Sequence, residues 1–199
     1  MIIVKEILDN PAPYKQTDKY VWAFTVDKVD YTFEAHFIDM KEFYFQMTCK
    51  ILFNKWFGED IFKELHDAIG KDFSLSIENF NHLLFSEKLQ SKFFDIDFSI
   101  AETQNEIKDF SITGTGNASI VFATVVQIID DFIRQDKPIL FMFSAESASR
   151  FKLYTTMTRI ISKKYKNYEY DIGSNYFYIY NERLLENVIV STVQEYIKK

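Results

Sequence analysis

From Ile107 to Ile179 the chain reads IKDFSIT, GTGNA, a helix-patterned run to Arg134, PILFMFSAE from Pro138, a second helix-patterned run to about Lys166, and NYFYI. This is the order strand, glycine turn, helix, strand, helix, strand. In Ala118–Arg134 the residues Val121, Val125, Ile128, Ile129 and Phe132 fall on one stripe, which predicts an amphipathic helix. Ile139–Phe143 is apolar without a break, as expected of a strand buried on both faces and paired in parallel at the centre of a sheet. In the second helix Leu153, Met157, Ile160 and Ile161 point inward, and Ser144 or Ser147 is available as its N-cap.

Working outward, Tyr20–Val26, Tyr31–Ile38 and Phe43–Phe53 are strand-like runs separated by short polar turns, an antiparallel meander. Residues 54–92 break that pattern. Ile61, Phe62, Leu65 and Ile69, then Ile77, Phe80, Leu83 and Leu84, recur at helical spacing, with Gly70 as a stop between them. This reads as a helical insertion laid over one face of the sheet. About 40 residues make a poor independent core, so residues 1–199 are expected to form a single domain. Phe93–Ile100 alternates again as a strand, and residues 182–199 form a C-terminal helix despite the β-branched run Val188–Val190. The fold class is α+β, a mixed and mainly antiparallel sheet flanked by helices.

The net charge of −6, from 23 basic and 29 acidic residues, removes a general attraction to nucleic-acid backbones. Lys163, Lys164 and Lys166 are the densest basic cluster, read as a solvated helix end. The one cysteine, Cys49, excludes an internal disulfide framework and sits in an apolar run as a buried thiol. No run is apolar enough to span a bilayer and the charged N-terminal segment does not read as a signal peptide, so a soluble protein is expected. His36, His66 and His82 show no metal-ligand spacing.

Gly114 and Gly116 flank Thr115 between a strand and a helix. Such a turn aims backbone N–H groups at one point, and the missing side chains let a diphosphate come close. Asn117 caps the helix or joins the donors. A Walker loop is excluded because no lysine follows the glycines, and Ser119 stands where a dinucleotide loop needs its third glycine. Arg150 in the first turn of the next helix is either paired with Glu146 or set toward a ligand anion, and Tyr154 lies four residues on along the same face.

From Ile107 onward the chain resembles the GNAT superfamily of acyl-CoA-dependent N-acyltransferases. Ser111-Ile112-Thr113-Gly114-Thr115-Gly116 fills the family's Q/R-x-x-G-x-G/A loop, with serine in place of the first residue, and Leu153-Tyr154 matches its helix-borne Leu-Tyr pair. The resemblance implies that Gly114, Thr115, Gly116, Asn117 and Ala118, with Arg150, hold the pyrophosphate of acetyl-CoA or another acyl-CoA. It also implies that Tyr154 protonates the departing thiolate, and that the thioester lies between parting strands at Ile107–Thr113 and Ile139–Phe143. Glu34, His36, Glu102, Glu106 and Glu146 remain open as the base. The same layout looks like small uncharacterised proteins of tailed bacteriophages. That likeness implies a viral origin, and with Ser111 in place of the loop's Gln or Arg, the helical insertion and the extra C-terminal helix, the leading expectation is a binding or virion-associated protein without established catalysis, with a virion or host protein as partner and the host cytoplasm or the virion as its place; an acyl-CoA-dependent N-acyltransferase is the alternative.

Overall fold

A computed structural model describes residues 10–38, 63, 66–100, 117–145 and 147–198. Among them are β1 (Tyr14–Asp18), β2 (Val21–Val26), β3 (Val29–Phe37), two helical turns (His66–Gly70 and Lys71–Phe73), α1 (Ile77–Leu84), α2 (Glu87–Gln90), β4 (Phe93–Ile100), α3 (Ala118–Asp136), β5 (Leu140–Ser144), α4 (Ala148–Lys164), β6 (Glu169–Ile172), β7 (Tyr176–Tyr180) and α5 (Glu182–Ile197). The seven strands form an open sheet in the order β1-β2-β3-β4-β5-β7-β6. Every neighbouring pair is antiparallel except β4 with β5, which run parallel. This α+β architecture is compatible with a GNAT-like mixed fold.

Alternation along the strands sends side chains to two cores. On one face Trp22, Phe33, Phe94, Ile96, Phe141, Phe143 and Phe177 meet the apolar stripe of α3 and the inner face of α4. On the other, Phe93, Leu140 and Tyr180 meet Phe80 and Leu84 of α1, Leu89 of α2, and Leu185, Ile189 and Val193 of α5. The helices of the insertion therefore share one face of the sheet with the C-terminal helix. The β-branched run in α5 does not stop it, because Leu185, Ile189 and Val193 are buried and packing outweighs a propensity cost of a few tenths of a kcal/mol per residue. Asn181 caps that helix by accepting from the Leu184 amide at 3.0 Å.

Several expectations need correction or lie elsewhere. β1 and β6 are strands beyond the expected ones. Both are short and largely exposed, so hydrophobic alternation does not mark them. β1 is held instead by polar contacts to α3: Ala12 donates its amide to Thr124 Oγ1 at 2.8 Å, and the Tyr14 hydroxyl donates to Asp131. The run Phe43–Phe53, Cys49 and the segment Ile107–Gly116 lie outside the described residues. The strand beside β5 is β4, so Phe93–Ile100 takes the place expected of Ile107–Thr113. The far edge of β5 is filled by β7.

Gly70 is not a left-handed helix stop. Its backbone is right-handed, and the chain reverses at Ser74, φ 57°. The glycine is required by space: a Cβ there would sit 2.6 Å from His66 Cδ2 and 3.0 Å from Phe80 Cδ2. The His66 ring is pinned by its Nε2–H, which donates to the Leu75 carbonyl at 2.6 Å, and packs edge-on to Phe80. Gly70→Ala is expected to destabilise by about 1–3 kcal/mol through overpacking. Chemical denaturation measures it, and a neutral result would mean that His66 swings away at little cost.

Candidate functional site

β4 and β5 are joined by three register pairs, Phe93–Leu140, Phe94–Phe141 and Asp95–Met142. Beyond them the ladder ends. β4 continues to Ile100 on β3, while Phe143 and Ser144 continue on β7. Two strands that start together and then follow different neighbours leave an opening in the sheet. The N-terminus of α3 and the first turns of α4 stand beside that opening.

Ala118, Arg150 and Tyr154 are brought together between α3, α4 and the far part of β4. They line one crevice of about 20 Å³ with Phe98 of β4, Val121 and Phe122 of α3, and Met157 of α4. That volume holds about one water, so a thioester arm enters only when side chains move. Ala118 is the first residue of α3 and is exposed, and no acidic side chain lies in that helix's first turn to offset its positive end. Ser147 caps α4, its hydroxyl accepting from the Arg150 amide at 3.3 Å. Tyr154 is buried, edge-on to Phe143 at 5.0 Å and to Phe177 at 5.8 Å.

Gly114, Thr115 and Gly116 lie outside the described residues, as do Glu102, Glu106 and Glu146. Asn117 departs from expectation. Its side chain makes no capping bond and its amide nitrogen donates to the Asp27 carboxylate. Asp27 stands in the two-residue β2–β3 turn, where it and Lys28 both have positive φ, 49° and 66°. The turn thereby brings a carboxylate to the start of α3, where an anion is favoured.

Two features were not singled out from the sequence. The first is Asp95 and Asp97 on β4, facing Glu34 and His36 of β3 across the ladder: His36 pairs with Asp95, and Glu34 with Asp97. His36 Nε2 lies 3.2 Å from Glu34 Oε2. Burial pushes the Asp95 carboxyl up from its ordinary value, His36 opposes this, and Asp97 adds to it. The alternation FFDIDF was the available sign.

The second is Asp130, buried within α3. It accepts from Arg134, from Lys164 Nζ at 2.6 Å, and from the Tyr165 hydroxyl at 2.7 Å. Lys164 is therefore half of an ion pair on an exposed helix end. Burial, then Arg134 beside it, push its ammonium below the usual value. The cluster ties the C-terminal ends of α3 and α4 together.

Fold and site define a mixed-sheet α+β protein with an opening at its parallel strand pair and two helix N-termini beside it. The chain belongs to a family of unknown function (DUF6934), whose model matches residues 77–183, from α1 through β7. Comparison with curated proteins and with solved structures gives no match. Among the described residues, no helix is long and apolar enough to cross a membrane.

Proposed function

We propose that the chain is a GNAT-like protein that takes an acyl-CoA at the opening between β4 and β5 and acts as an acyl-CoA-dependent N-acyltransferase. The observation that carries this reading is the parallel ladder that ends after Asp95–Met142 beside the N-terminus of α3. In this reading the thioester lies in the opening and the pyrophosphate at the start of α3, reached by Gly114, Thr115, Gly116 and Ala118, with Arg150 supplying charge. Tyr154 delivers the proton to the thiolate.

The test is calorimetric titration with acetyl-CoA. Binding is expected, and Ala118→Glu is expected to weaken it by roughly tenfold or more, since the new carboxylate suits the helix dipole yet repels a phosphate. The fold should survive, because glutamate in a first turn is favourable. Tyr154→Phe should leave affinity for acetyl-CoA unchanged and lower turnover with an amine acceptor by about 10²-fold, measured as free thiol released. No heat at millimolar acetyl-CoA removes the reading.

A second reading is favoured by the Asn117–Asp27 contact, which sets a protein carboxylate where a diphosphate would approach. On that reading the chain is a binding protein without catalysis, of the bacteriophage type, with a virion or host protein as partner. Retention of a defined host protein together with silence toward acetyl-CoA decides for it.

A further inference from the structure

α3 carries a second stripe beside the one that meets the sheet. Ala123, Val126, Gln127 and Asp130 recur at i, i+3, i+4 and i+7, and they face Ile160, Ile161 and Lys164 of α4 across a groove. The groove holds about 120 Å³, against about 20 Å³ for the crevice at Tyr154, and the two share no lining residue. A cavity of about 150 Å³ accepts benzene, so this one has room for a chain of about four or five carbons.

The two ends of the groove differ. Ala123 and Ile161 are buried and Val126 and Ile160 half-buried, which makes one end apolar. The other end is marked by Lys164 Nζ on Asp130 Oδ1 at 2.6 Å, with the Asp130 side chain 5% exposed and the Lys164 side chain 52% exposed. Cations are in surplus there. Arg134 and Lys164 share the one Asp130 carboxylate, and Lys163 and Lys166 flank Lys164 in the chain. The neighbouring Asp131 accepts from the Tyr14 hydroxyl. The C-terminal dipole of α4 adds about half a negative charge, too little to balance four cations against two acids. Burial, then Arg134, push the Lys164 ammonium down against the pull of Asp131, as expected of a cation short of counter-charge. An ammonium has three N–H donors, and Asp130 takes one.

We propose that this groove binds a short-chain aliphatic carboxylate, its head on Lys164 and its chain between Val126 and Ile160 over Ala123. The site is separate from the crevice at Tyr154 and does not rest on the acyl-CoA reading.

The experiment is titration of the full chain with valerate at low salt, followed by amide chemical shifts. Saturable shifts are expected along Ala123–Asp130 and Ile160–Tyr165. Acetate, which has the head without the chain, and butylamine, which has the chain without the anion, should each bind more weakly by about fivefold or more. Lys164→Gln should weaken valerate by about threefold. It leaves Arg134 and Tyr165 on Asp130, so the fold should persist. Val126→Glu, at a half-buried helix position that tolerates glutamate, should weaken valerate by about tenfold or more through lost apolar wall and added repulsion. Lys152→Gln, equal in charge change but three turns earlier on α4, should leave binding unchanged, and so should Ala118→Glu, which separates this site from the cofactor reading. The proposal is overturned by shifts that stay linear in valerate concentration, by butylamine binding as tightly as valerate, by unchanged affinity in both Lys164→Gln and Val126→Glu, or by an equal loss in Lys152→Gln. Acetate binding as tightly as valerate also overturns it, since that marks an adventitious ion only.

Discussion

Phe132→Ala is expected to destabilise the protein by about 3–5 kcal/mol, the largest loss of any single truncation considered for this molecule. Phe132 is fully buried on α3 and meets three rings edge-on: Phe94 at 4.9 Å, Phe141 at 5.9 Å and Trp22 at 6.1 Å. Phe94 belongs to β4 and Phe141 to β5, and they are register partners in the short parallel ladder. The substitution therefore opens a cavity directly against that ladder and removes edge-to-face pairs worth about 0.5–1.5 kcal/mol each beyond their area. Neighbouring rings are too stiff to close the space. The urea midpoint should fall, and the melting temperature with it by roughly 6–20 °C. Phe132→Leu should recover more than half of the loss. Similar midpoints for wild type and Phe132→Ala would show that α3 is not what holds the two halves of the sheet together.

The second large effect is expected from Arg134→Met combined with Lys164→Met, at about 3 kcal/mol near neutral pH. Each cation is roughly half exposed, so each pair taken alone is worth little. The Asp130 carboxylate is buried, and removing both partners leaves it with the Tyr165 hydroxyl as its remaining side-chain donor among the described residues. The sign of the pH dependence follows. An uncompensated buried carboxylate prefers its neutral form, so in this variant its pKa in the folded state rises above the unfolded value of about 3.9. The folded state then binds more protons than the unfolded state, and the deficit should shrink as pH falls through the raised value. Adding Asp130→Asn to the double variant should recover stability and flatten that dependence. Urea titrations at several pH values read both effects, and a deficit independent of pH would mean that Asp130 is solvated once its partners are gone.

Much of the architecture was legible because apolar periodicity and burial agree. The unbroken run ILFMF became the central β5, and the stripe from Val121 to Phe132 became the buried face of α3. What periodicity could not show was held by polar contacts or by space. β1, sequence YKQTD, is fixed by Tyr14–Asp131 and by Ala12 on Thr124, interactions across more than a hundred residues. Gly70 serves close packing and not a reversal, a distinction that exists only once Phe80 and His66 are placed.

The site was legible in part. Spacing put Arg150 and Tyr154 on one helical face, and the fold sets both beside Ala118. The engagement of Asn117 by Asp27 depends on a turn 90 residues away. The acids of β4 were visible as polar positions in an alternating strand. The face they take required the register of β4 with β3 and β5.

The short parallel ladder also fixes an order of assembly. β1, β2 and β3 are consecutive hairpins, as are β6 and β7, and each closes over a few residues. Phe93 and Leu140 are 47 positions apart, and only three pairs reward that closure. Closing entropy must be spent before those contacts form. The pairs of β3 with β4 close over 57–69 positions but share that cost among seven pairs, so the three-pair β4–β5 ladder is expected to form last, as the union of two half-sheets. In the native protein the amides of that ladder are expected to exchange with deuterium ahead of those between β3 and β4.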